Sequence, residues 1–289
     1  MDLEQKAIER LKMASEMSLR LYKQPLIVTD SGGKDSAVCK ALAARAGIPY
    51  EVMHNHTTAD APETVYFVRD EARRLEAEGV KYTISYPMYK GERTSMWALI
   101  VIAKIPPSRW RRYCCDVLKE HGNENRFIAT GVRWEESKKR ADNRGTYEAL
   151  PSNIKNKIIL NNDNDENRRM LESCQLKAKR VVNPIIDWTD RDVWDYIQSE
   201  KIPCNPLYEQ GFERVGCIGC PLASKRLRIK EFSVFPKYKA LYIQAFDRML
   251  KAREGKKKTS GDAWEAGEEV FHWWMEDGVL PGQIELDLE

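Results

Sequence analysis

The sequence predicts an α/β fold in three layers, with helices on both faces of a parallel β-sheet and further helices at the C-terminus. Short β-prone runs alternate with segments of helical periodicity through the first half of the chain, a pattern typical of parallel strands joined by crossover helices. The chain has 289 residues, of which 42% are hydrophobic and 31% charged. That composition is enough for one large domain, or for a domain with an appendage.

The first half of the chain supplies three predicted strands and three predicted helices. Apolar residues at steps of mostly three or four predict a helix over 4–22. A strand over Leu26–Thr29 then leads through a turn into a second helix, which Gly47 ends. The second strand is YEVMHNH, the third helix begins near Pro62 and ends at Gly79, and KYTISY is the third strand.

The second half is more polar, and its predicted elements are farther apart. RFIATGVR reads as a strand and loop, KIILN as a strand, and DRDVWDYIQSE as a helix with Asp187 or Thr189 near its cap. The apolar side chains of this last helix are interpreted as its packed face: Trp188, Val193, Trp194 and Ile197. We expect one domain over 1–232 and a helical extension over 233–289. The polar stretch 152–180 is interpreted as an insertion, and 253–261 as a flexible basic loop.

The composition limits where the protein is expected to act, but it does not indicate a binding partner. The formal charge is +3, from 47 basic and 44 acidic residues, so any nucleic-acid contact would depend on local patches. Two such patches are RWRR at 109–112 and KKK at 256–258, although short basic runs usually lie in water. No apolar stretch reaches the roughly 18 residues of a membrane span, and the N-terminus does not resemble a secretory signal. We therefore expect a cytoplasmic protein without membrane contact.

The stretch TDSGGKDS, residues 29–36, has the residue types of a phosphate site. A strand end followed by glycines and a helix start gathers backbone N–H groups where the helix dipole favours anions. Lys34 would add a positive charge, and Ser31 and Ser36 could donate hydroxyl hydrogen bonds. The alternative is an ordinary turn, since two glycines alone are weak evidence and the Walker A pattern GxxxxGK[ST] is absent.

Seven cysteines, with no export signal, favour thiols, metal ligation or catalysis over disulfides. Cys114 and Cys115 are adjacent, and Cys217 and Cys220 form a CxxC about a hundred residues later. Two close pairs suit a [4Fe-4S] cluster or a zinc ion, and the vicinal pair fits the separate irons of a cubane better than one small ion. Unrelated buried cysteines remain the alternative, which is the interpretation given to Cys39, Cys174 and Cys204.

Five segments, in order from about Ile27 to Cys220, resemble one family. SGGKDS resembles the PP-loop signature of the ATP pyrophosphatase superfamily. GVRWEESKKRA, PIIDWTDRDVWDYI, NPLYEQGFERVGCIGC and the CC pair resemble segments of the iron–sulfur subgroup of the phosphoadenylyl-sulfate and adenylyl-sulfate reductase family. The resemblance implies a PP-loop, adenine nucleotide alpha hydrolase-like domain.

The resemblance also implies roles for individual residues. The phosphate site would be lined by residues of the loop, namely Ser31, Gly32, Gly33, Lys34, Asp35 and Ser36. Arg133 and Arg140 would contact substrate anions, with Lys34, Asp35 and Arg133 as the catalytic residues. Cys114, Cys115, Cys217 and Cys220 would hold a [4Fe-4S] cluster. The nucleotide would be ATP, or phosphoadenylyl or adenylyl sulfate (PAPS or APS), and Mg²⁺ would assist if ATP is cleaved.

The sequence departs from these reductases in one respect that bears on the reaction. Their catalytic cysteine lies in a C-terminal ECGxH-like motif, whereas the last cysteine here is Cys220 and only Cys204 could substitute. The related DNA phosphorothioation sulfurtransferase, which cleaves ATP to adenylate its target, therefore offers a better model for the reaction than the reductases do. We therefore predict ATP cleavage to an AMP adduct and pyrophosphate, activating a substrate for sulfur incorporation.

Two alternatives stay open at this stage. A reductase would release sulfite with a thiol donor, and a non-catalytic iron–sulfur sensor would bind nucleotide without turnover. The expected partners are an adenine nucleotide and a sulfur donor, such as a cysteine desulfurase persulfide or a thiol reductant. A nucleic-acid substrate and a homo-oligomer are both compatible with the sequence.

Overall fold

A computed structural model describes residues 2–119, 123, 125–151, 158–161, 178–254 and 264–276. The predictions for 253–261 and for most of 152–180, together with Cys174 and the KKK run, lie outside these residues. In the described residues, no helix is both long enough and apolar enough to cross a membrane.

The first part of the chain alternates helix and strand as predicted. Its elements are α1 (Leu3–Tyr22), β1 (Leu26–Asp30), α2 (Lys34–Arg45), β2 (Tyr50–Asn55), α3 (Pro62–Ala77) and β3 (Tyr82–Ser85). Helix α1 ends at a left-handed Lys23, whose backbone N–H caps the carbonyl of Leu19. Helix α3 begins at a proline, whose fixed φ suits a first helical position.

The later elements include several that the periodicity did not predict. The described ones are β4 (Met88–Tyr89), β5 (Glu92–Arg93), α4 (Met96–Ala103), α5 (Tyr113–Leu118), β6 (Phe127–Ala129), a 3₁₀ turn (Trp134–Glu136), α6 (Lys138–Asn143), β7 (Tyr147–Pro151), β8 (Ile158–Leu160), β9 (Ala178–Val182), α7 (Asp190–Ser199), α8 (Lys225–Val234), α9 (Pro236–Lys251) and α10 (Gly267–Met275). Strands β4 and β5 form a separate antiparallel hairpin.

The main sheet has the strand order β3-β2-β1-β6-β9-β7-β8. The pairs β1–β2, β1–β6 and β6–β9 are parallel, whereas β7 runs antiparallel to both β9 and β8. The sheet is therefore mostly parallel and flanked by helices, which confirms the predicted fold class. The KIILN strand is found as β8, but it pairs antiparallel at the sheet edge.

Both faces of the parallel strands are buried. Along β1, Leu26 and Val28 belong to the larger core with the helices α1, α2, α3 and α7, and Ile27 packs on the other face with Ile128 and Val181. This alternation follows from the two-residue repeat of a strand. The face predicted for α7 is confirmed for Trp188, Val193 and Ile197, which are core residues.

The chain divides into two compact units. The first takes in Met1–His54, Glu63–Ser85 and Gly122–Val215, and so contains the main sheet. The second takes in Asn55–Pro62, Tyr86–His121 and Gly216–Glu289. The domain boundary between 232 and 233 stays a prediction, and the second unit gathers segments from both sides of that position.

Candidate functional site

The loop after β1 is fixed by a glycine in the left-handed region. Gly32 has φ +74°, and a Cβ there would lie 2.8 Å from Cγ2 of Thr64. A side chain at 32 would thus be both strained and obstructed. Helix α2 begins two residues later, at Lys34, with Gly33 as its N-cap. The loop therefore brings its backbone to a helix N-terminus, as the residue types predict.

Asp30, the last residue of β1, holds this loop in shape. Its Oδ1 accepts hydrogen bonds from the Gly32 N–H at 2.8 Å and from the Ser36 hydroxyl at 2.9 Å. Its Oδ2 accepts from Nζ of Lys40 at 2.5 Å and from the Tyr82 hydroxyl at 2.8 Å. Burial alone would raise the pKa of Asp30, but the charge and hydrogen bond of Lys40 outweigh it and lower that pKa to about 2.

Lys34 and Arg133 meet at one carboxylate oxygen. Nζ of Lys34 lies 3.0 Å from Oδ1 of Asp190, and Nη2 of Arg133 donates to the same oxygen at 2.8 Å. Nε of Arg133 also donates to Oδ1 of Asp35 at 2.7 Å, and its Nη1 to Oε2 of Glu135 at 3.1 Å. The exposed fractions of the Lys34 and Arg133 side chains are only 8% and 3%.

The sheet explains why these two cations converge. Lys34 follows β1 and Arg133 follows β6, and β1 and β6 are adjacent parallel strands. The carboxyl ends of such strands open at one edge of a sheet, where α/β proteins bind ligands. Gly131 allows the segment after β6 to lie close to the start of α2, because a Cβ at 131 would lie 2.8 Å from the backbone carbon of Asp35.

The segment after α7 covers the loop. The Asn205 amide donates to the Gly32 carbonyl at 3.1 Å and to the Thr64 hydroxyl at 3.0 Å. The Tyr208 hydroxyl accepts the Lys34 backbone N–H at 2.9 Å. Nζ of Lys34 also lies 5.9 Å from the ring centroids of both Trp194 and Tyr208. Trp194, interpreted from the sequence as structural, therefore also contacts a predicted site residue.

Ser31, Ser36 and Arg140 are placed differently from one another. Ser36 is buried and donates to the Gly33 carbonyl at 2.8 Å, whereas Ser31 is exposed and its backbone N–H donates to Ser36. Arg140, in α6, forms an ion pair with Glu136. Burial lowers the pKa of Arg140, and the nearby cation Arg214 lowers it further. Arg140 belongs to the first unit, and the charge of Asp35 in the loop acts on it, raising its pKa against these two effects.

The four cysteines all belong to the second unit and have no disulfide. Cys114 and Cys115 lie at the start of α5. Two hydrogen bonds hold the 217–220 turn: the Ile218 N–H donates to the Ala59 carbonyl, and the Cys217 thiol donates to the Thr57 hydroxyl. A hydrogen bond with Cys115, burial, and the charges of Cys115, Cys217 and Cys220 raise the pKa of Cys114. The four sulfurs therefore interact electrostatically as one group.

Gly219 shapes the turn between Cys217 and Cys220. It has φ +70°, and a Cβ would lie 2.5 Å from Cζ of Phe232. Its backbone N–H donates to Oε2 of Glu231 at 2.7 Å. Lys119, at the end of α5, faces the same thiols, and the charge of Cys217 is the largest cause that raises its pKa. A cation beside four thiols stabilises their deprotonated forms, which are the metal ligands.

The model of the family described as the phosphoadenosine phosphosulfate reductase domain matches residues 25–223. The chain belongs to this family. The match takes in the loop, Arg133, α7 and all four grouped cysteines. The PP-loop resemblance seen in the sequence is therefore confirmed at the level of the family.

Among its relatives is an uncharacterized protein of Methanocaldococcus jannaschii, which is 31% identical over 237 residues. The alignment covers 79% of this chain and 49% of that protein, so the chain spans about half the length of this relative.

Similar solved structures include a PAPS reductase of Candida auris in a phosphate complex. Its TM-score is 0.44 and its identity 18%, with 71% of this chain and 87% of that chain covered. Another is the U34-tRNA thiolase NcsA of Methanococcus maripaludis with its [4Fe-4S] cluster. Its TM-score is 0.41 and its identity 13%, with 91% and 87% covered. At these scores the likenesses carry no argument about the reaction.

The structure brings Lys34, Asp35 and Arg133 together, and separately groups the four cysteines. Sequence reasoning missed the groups that hold the loop and its cations: Asp30, Lys40, Asp190, Asn205 and Tyr208. Three of them lie within the segments that carry the resemblance, DRDVW and NPLY. The motifs contain these residues, but a motif does not indicate which side chain each polar residue will contact in the fold.

Proposed function

We propose that this protein binds an adenine nucleotide at the loop after β1 and activates a substrate for sulfur transfer by ATP cleavage. The observation that carries the proposal is the convergence of two buried cations, Lys34 and Arg133, on one carboxylate oxygen at the carboxyl ends of adjacent parallel strands. Two buried cations aimed at one point favour a ligand with a high negative charge, such as a polyphosphate.

Lys34 and Asp35 of the loop, together with Arg133, each have a role in this reaction. The substrate oxygen bonds to the α-phosphorus, the bond to the β-phosphate oxygen breaks, and pyrophosphate leaves. Lys34 and Arg133 would stabilise the charge that develops on the leaving pyrophosphate. Asp35 would help to hold Mg²⁺, which requires oxygen ligands. The outer sulfur of a donor persulfide would then attack the activated atom, and AMP would leave with the substrate oxygen. A thiol reductant would cleave the resulting disulfide, so that the sulfur stays on the substrate and the donor leaves as a mixed disulfide with the reductant.

The cysteine group fits a [4Fe-4S] cluster. Cys114, Cys115, Cys217 and Cys220 supply four thiols, the number that such a cluster requires, and Lys119 lies beside them. When bound through all four thiols, the cluster would have one thiolate on each iron, so it would supply charge and redox chemistry rather than an open iron position. This chain's contribution is a preformed turn at 217–220, which places two thiols before any metal arrives.

Cys204 bears on the reductase alternative. It is the candidate nucleophile for that reaction, but burial raises the pKa of its thiol. A thiol with a raised pKa is mostly protonated at neutral pH and is a poor nucleophile. This observation favours adenylation over sulfite release.

The test is an anaerobic incubation of iron-loaded protein with either ATP and Mg²⁺, or PAPS and a thiol. We expect pyrophosphate from ATP and no sulfite from PAPS. Lys34→Ala removes a cation that would stabilise the leaving pyrophosphate, so it should lower the rate of pyrophosphate release by about a hundredfold or more. Lys12→Ala, at an exposed position of α1, is the control. Sulfite release at a rate equal to or above that of pyrophosphate would instead assign the protein to the reductases.

An exposed tryptophan indicates the class of acceptor that we propose. Trp110 is 93% exposed and is flanked by exposed arginines at 109, 111 and 112. The loop around it is ordered, because the Tyr113 hydroxyl donates to the Ile105 carbonyl at 2.7 Å and the Ser108 N–H to the Arg111 carbonyl at 3.2 Å. An exposed aromatic ring among arginines is the pattern that stacks on bases and pairs with phosphates, so we propose a nucleic acid with unpaired bases.

Binding of a labelled single-stranded oligonucleotide, measured by fluorescence anisotropy, tests this acceptor. Loss of one stacking ring should weaken binding by about tenfold, so we expect that effect from Trp110→Ala. Tyr66→Ala removes another exposed ring, 63% accessible and in the first unit, and should leave the affinity unchanged. Equal affinities for the wild type and Trp110→Ala would contradict the assignment.

A further inference from the structure

Asp190 contacts two cations, Lys34 of the loop and Arg133 after β6, from the solvent side. Its Oδ1 is 3.0 Å from Nζ of Lys34 and 2.8 Å from Nη2 of Arg133. The Asp190 side chain is 54% exposed, whereas both cations are almost fully buried. An exposed acid therefore provides the negative charge at the point where the buried cations converge.

The two cations differ in how strongly they depend on this acid. Arg133 keeps Asp35 at 2.7 Å and Glu135 at 3.1 Å, so its guanidinium has partners without Asp190. The other carboxylate near Lys34 is Oδ2 of Asp35, at 3.7 Å. Because a buried ammonium needs a close counter-charge, Asp190 is the main neutralising partner of Lys34 among the described residues.

A second ion-pair network below the loop shows the contrast. Lys40 meets Asp30 and Glu71 at 2.5 and 3.0 Å, and all three side chains are buried. That network cannot open without stranding a charge in the core. Asp190, the first residue of α7, is instead exposed, and a ligand anion that replaced it would neutralise Lys34 in its place. The ion pairs of Lys40 are therefore a permanent part of the core, whereas the contact of Asp190 with Lys34 can be replaced by a ligand.

We infer that Asp190 stands in for a phosphate oxygen, and that the phosphates of the nucleotide displace it when they bind. The inference rests on the proposed function, since it concerns the same loop. A carboxylate carries one negative charge, so a ligand must bring more charge than that to replace it favourably. Asp190 would therefore make the site selective for di- and triphosphates over singly charged anions.

The test measures binding of inorganic pyrophosphate, without metal, by isothermal titration calorimetry. Asp190→Asn keeps the size of the side chain but removes the competing charge, so we expect about tenfold tighter binding. Asp195→Asn is the matched control, because Asp195 lies on the same helix and pairs at 3.5 Å with Arg191, both side chains being largely exposed. It should change the affinity less than twofold. Urea unfolding of both variants would verify that the fold is intact.

The outcomes separate this inference from the proposed function. Unchanged or weaker binding by Asp190→Asn, or equal tightening by Asp195→Asn, would overturn the stand-in role while leaving the nucleotide site in place. Tighter pyrophosphate binding by Asp190→Asn, together with no ATP cleavage by the wild type, would support the role of Asp190 and contradict the proposed adenylating activity. Failure of every variant to bind pyrophosphate or ATP would overturn both.

Discussion

Asp30 gathers four hydrogen-bonding groups around one buried carboxylate, and only one of them is a charged side chain. Two of the four, the Gly32 N–H and the Ser36 hydroxyl, belong to the proposed phosphate loop. The other two, Lys40 and Tyr82, come from α2 and β3. The acid therefore links the loop to the core, and its ionisation contributes to stability.

Asp30→Asn should lower the free energy of unfolding by about 2 kcal/mol at pH 7. The folded pKa of Asp30, about 2, lies below its ordinary value of 3.8, so the stabilisation is present above pH 4 and is lost as the pH falls toward 2. Urea unfolding of wild type and variant at pH 7 and at pH 2.5 measures the difference.

The control for this prediction is Asp70→Asn, whose exposed acid pairs with the exposed Arg73 on the same helix. Its effect should be below about 0.5 kcal/mol at either pH. A difference between Asp30→Asn and wild type that is as large at pH 2.5 as at pH 7 would show that packing, and not ionisation, is responsible.

At the scale of elements, α7 carries the acid that meets the loop cations. Its N-terminus is a capping box, in which the Thr189 hydroxyl accepts the Asp192 N–H at 3.1 Å and Asp192 accepts the Thr189 N–H at 2.7 Å. The sequence left Asp187 and Thr189 as candidates for this cap. Thr189 is the cap, and Asp187 instead pairs with Arg10 of α1 at 2.7 Å.

Thr189→Ala removes the cap and should cost about 1 kcal/mol of stability, because the Asp192 N–H loses its acceptor. Thr189→Ser keeps the hydroxyl and should stay within about 0.5 kcal/mol of wild type. Thermal or urea unfolding of the three proteins measures the effect. If the alanine and serine variants were equally stable, the hydroxyl would have no capping role.

On the scale of the whole molecule, the second compact unit is organised around the turn between Cys217 and Cys220. The aromatic side chains around Gly219 come from three helices, with Phe232 on α8, Tyr242 on α9 and Trp274 on α10. The Tyr242 hydroxyl also donates to the Ile218 carbonyl at 2.9 Å. The C-terminal helices therefore support the cysteine turn directly.

Gly219→Ala should destabilise this unit by about 2 kcal/mol or more and reduce its bound iron after reconstitution. The new Cβ would lie 2.5 Å from Phe232 and 3.0 Å from Trp274. Gly91→Ala is a matched control, since Gly91 also has a positive φ, +89°, but its Cβ would meet nothing within 4 Å. Unfolding and iron content are the measurements, and similar losses in both variants would attribute the effect to backbone strain alone.

The alternation of strands and helices, the position of the loop, the two cysteine pairs and the family could all be predicted from the sequence, because periodicity and motif spacing are local properties of the chain. Strand β7 was not predicted, nor was the antiparallel pairing of the predicted KIILN strand, β8, because the place of both depends on which edge of the sheet is open. Three contacts became known only from the folded chain: Asp30 holds the loop, Asp190 meets Lys34 and Arg133, and Gly219 packs against side chains of three helices. The contacts of Asp30 with Tyr82, of Asp190 with both cations, and of Gly219 with three helices join residues far apart in the chain, where partners are selected by packing and by the need to neutralise buried charge.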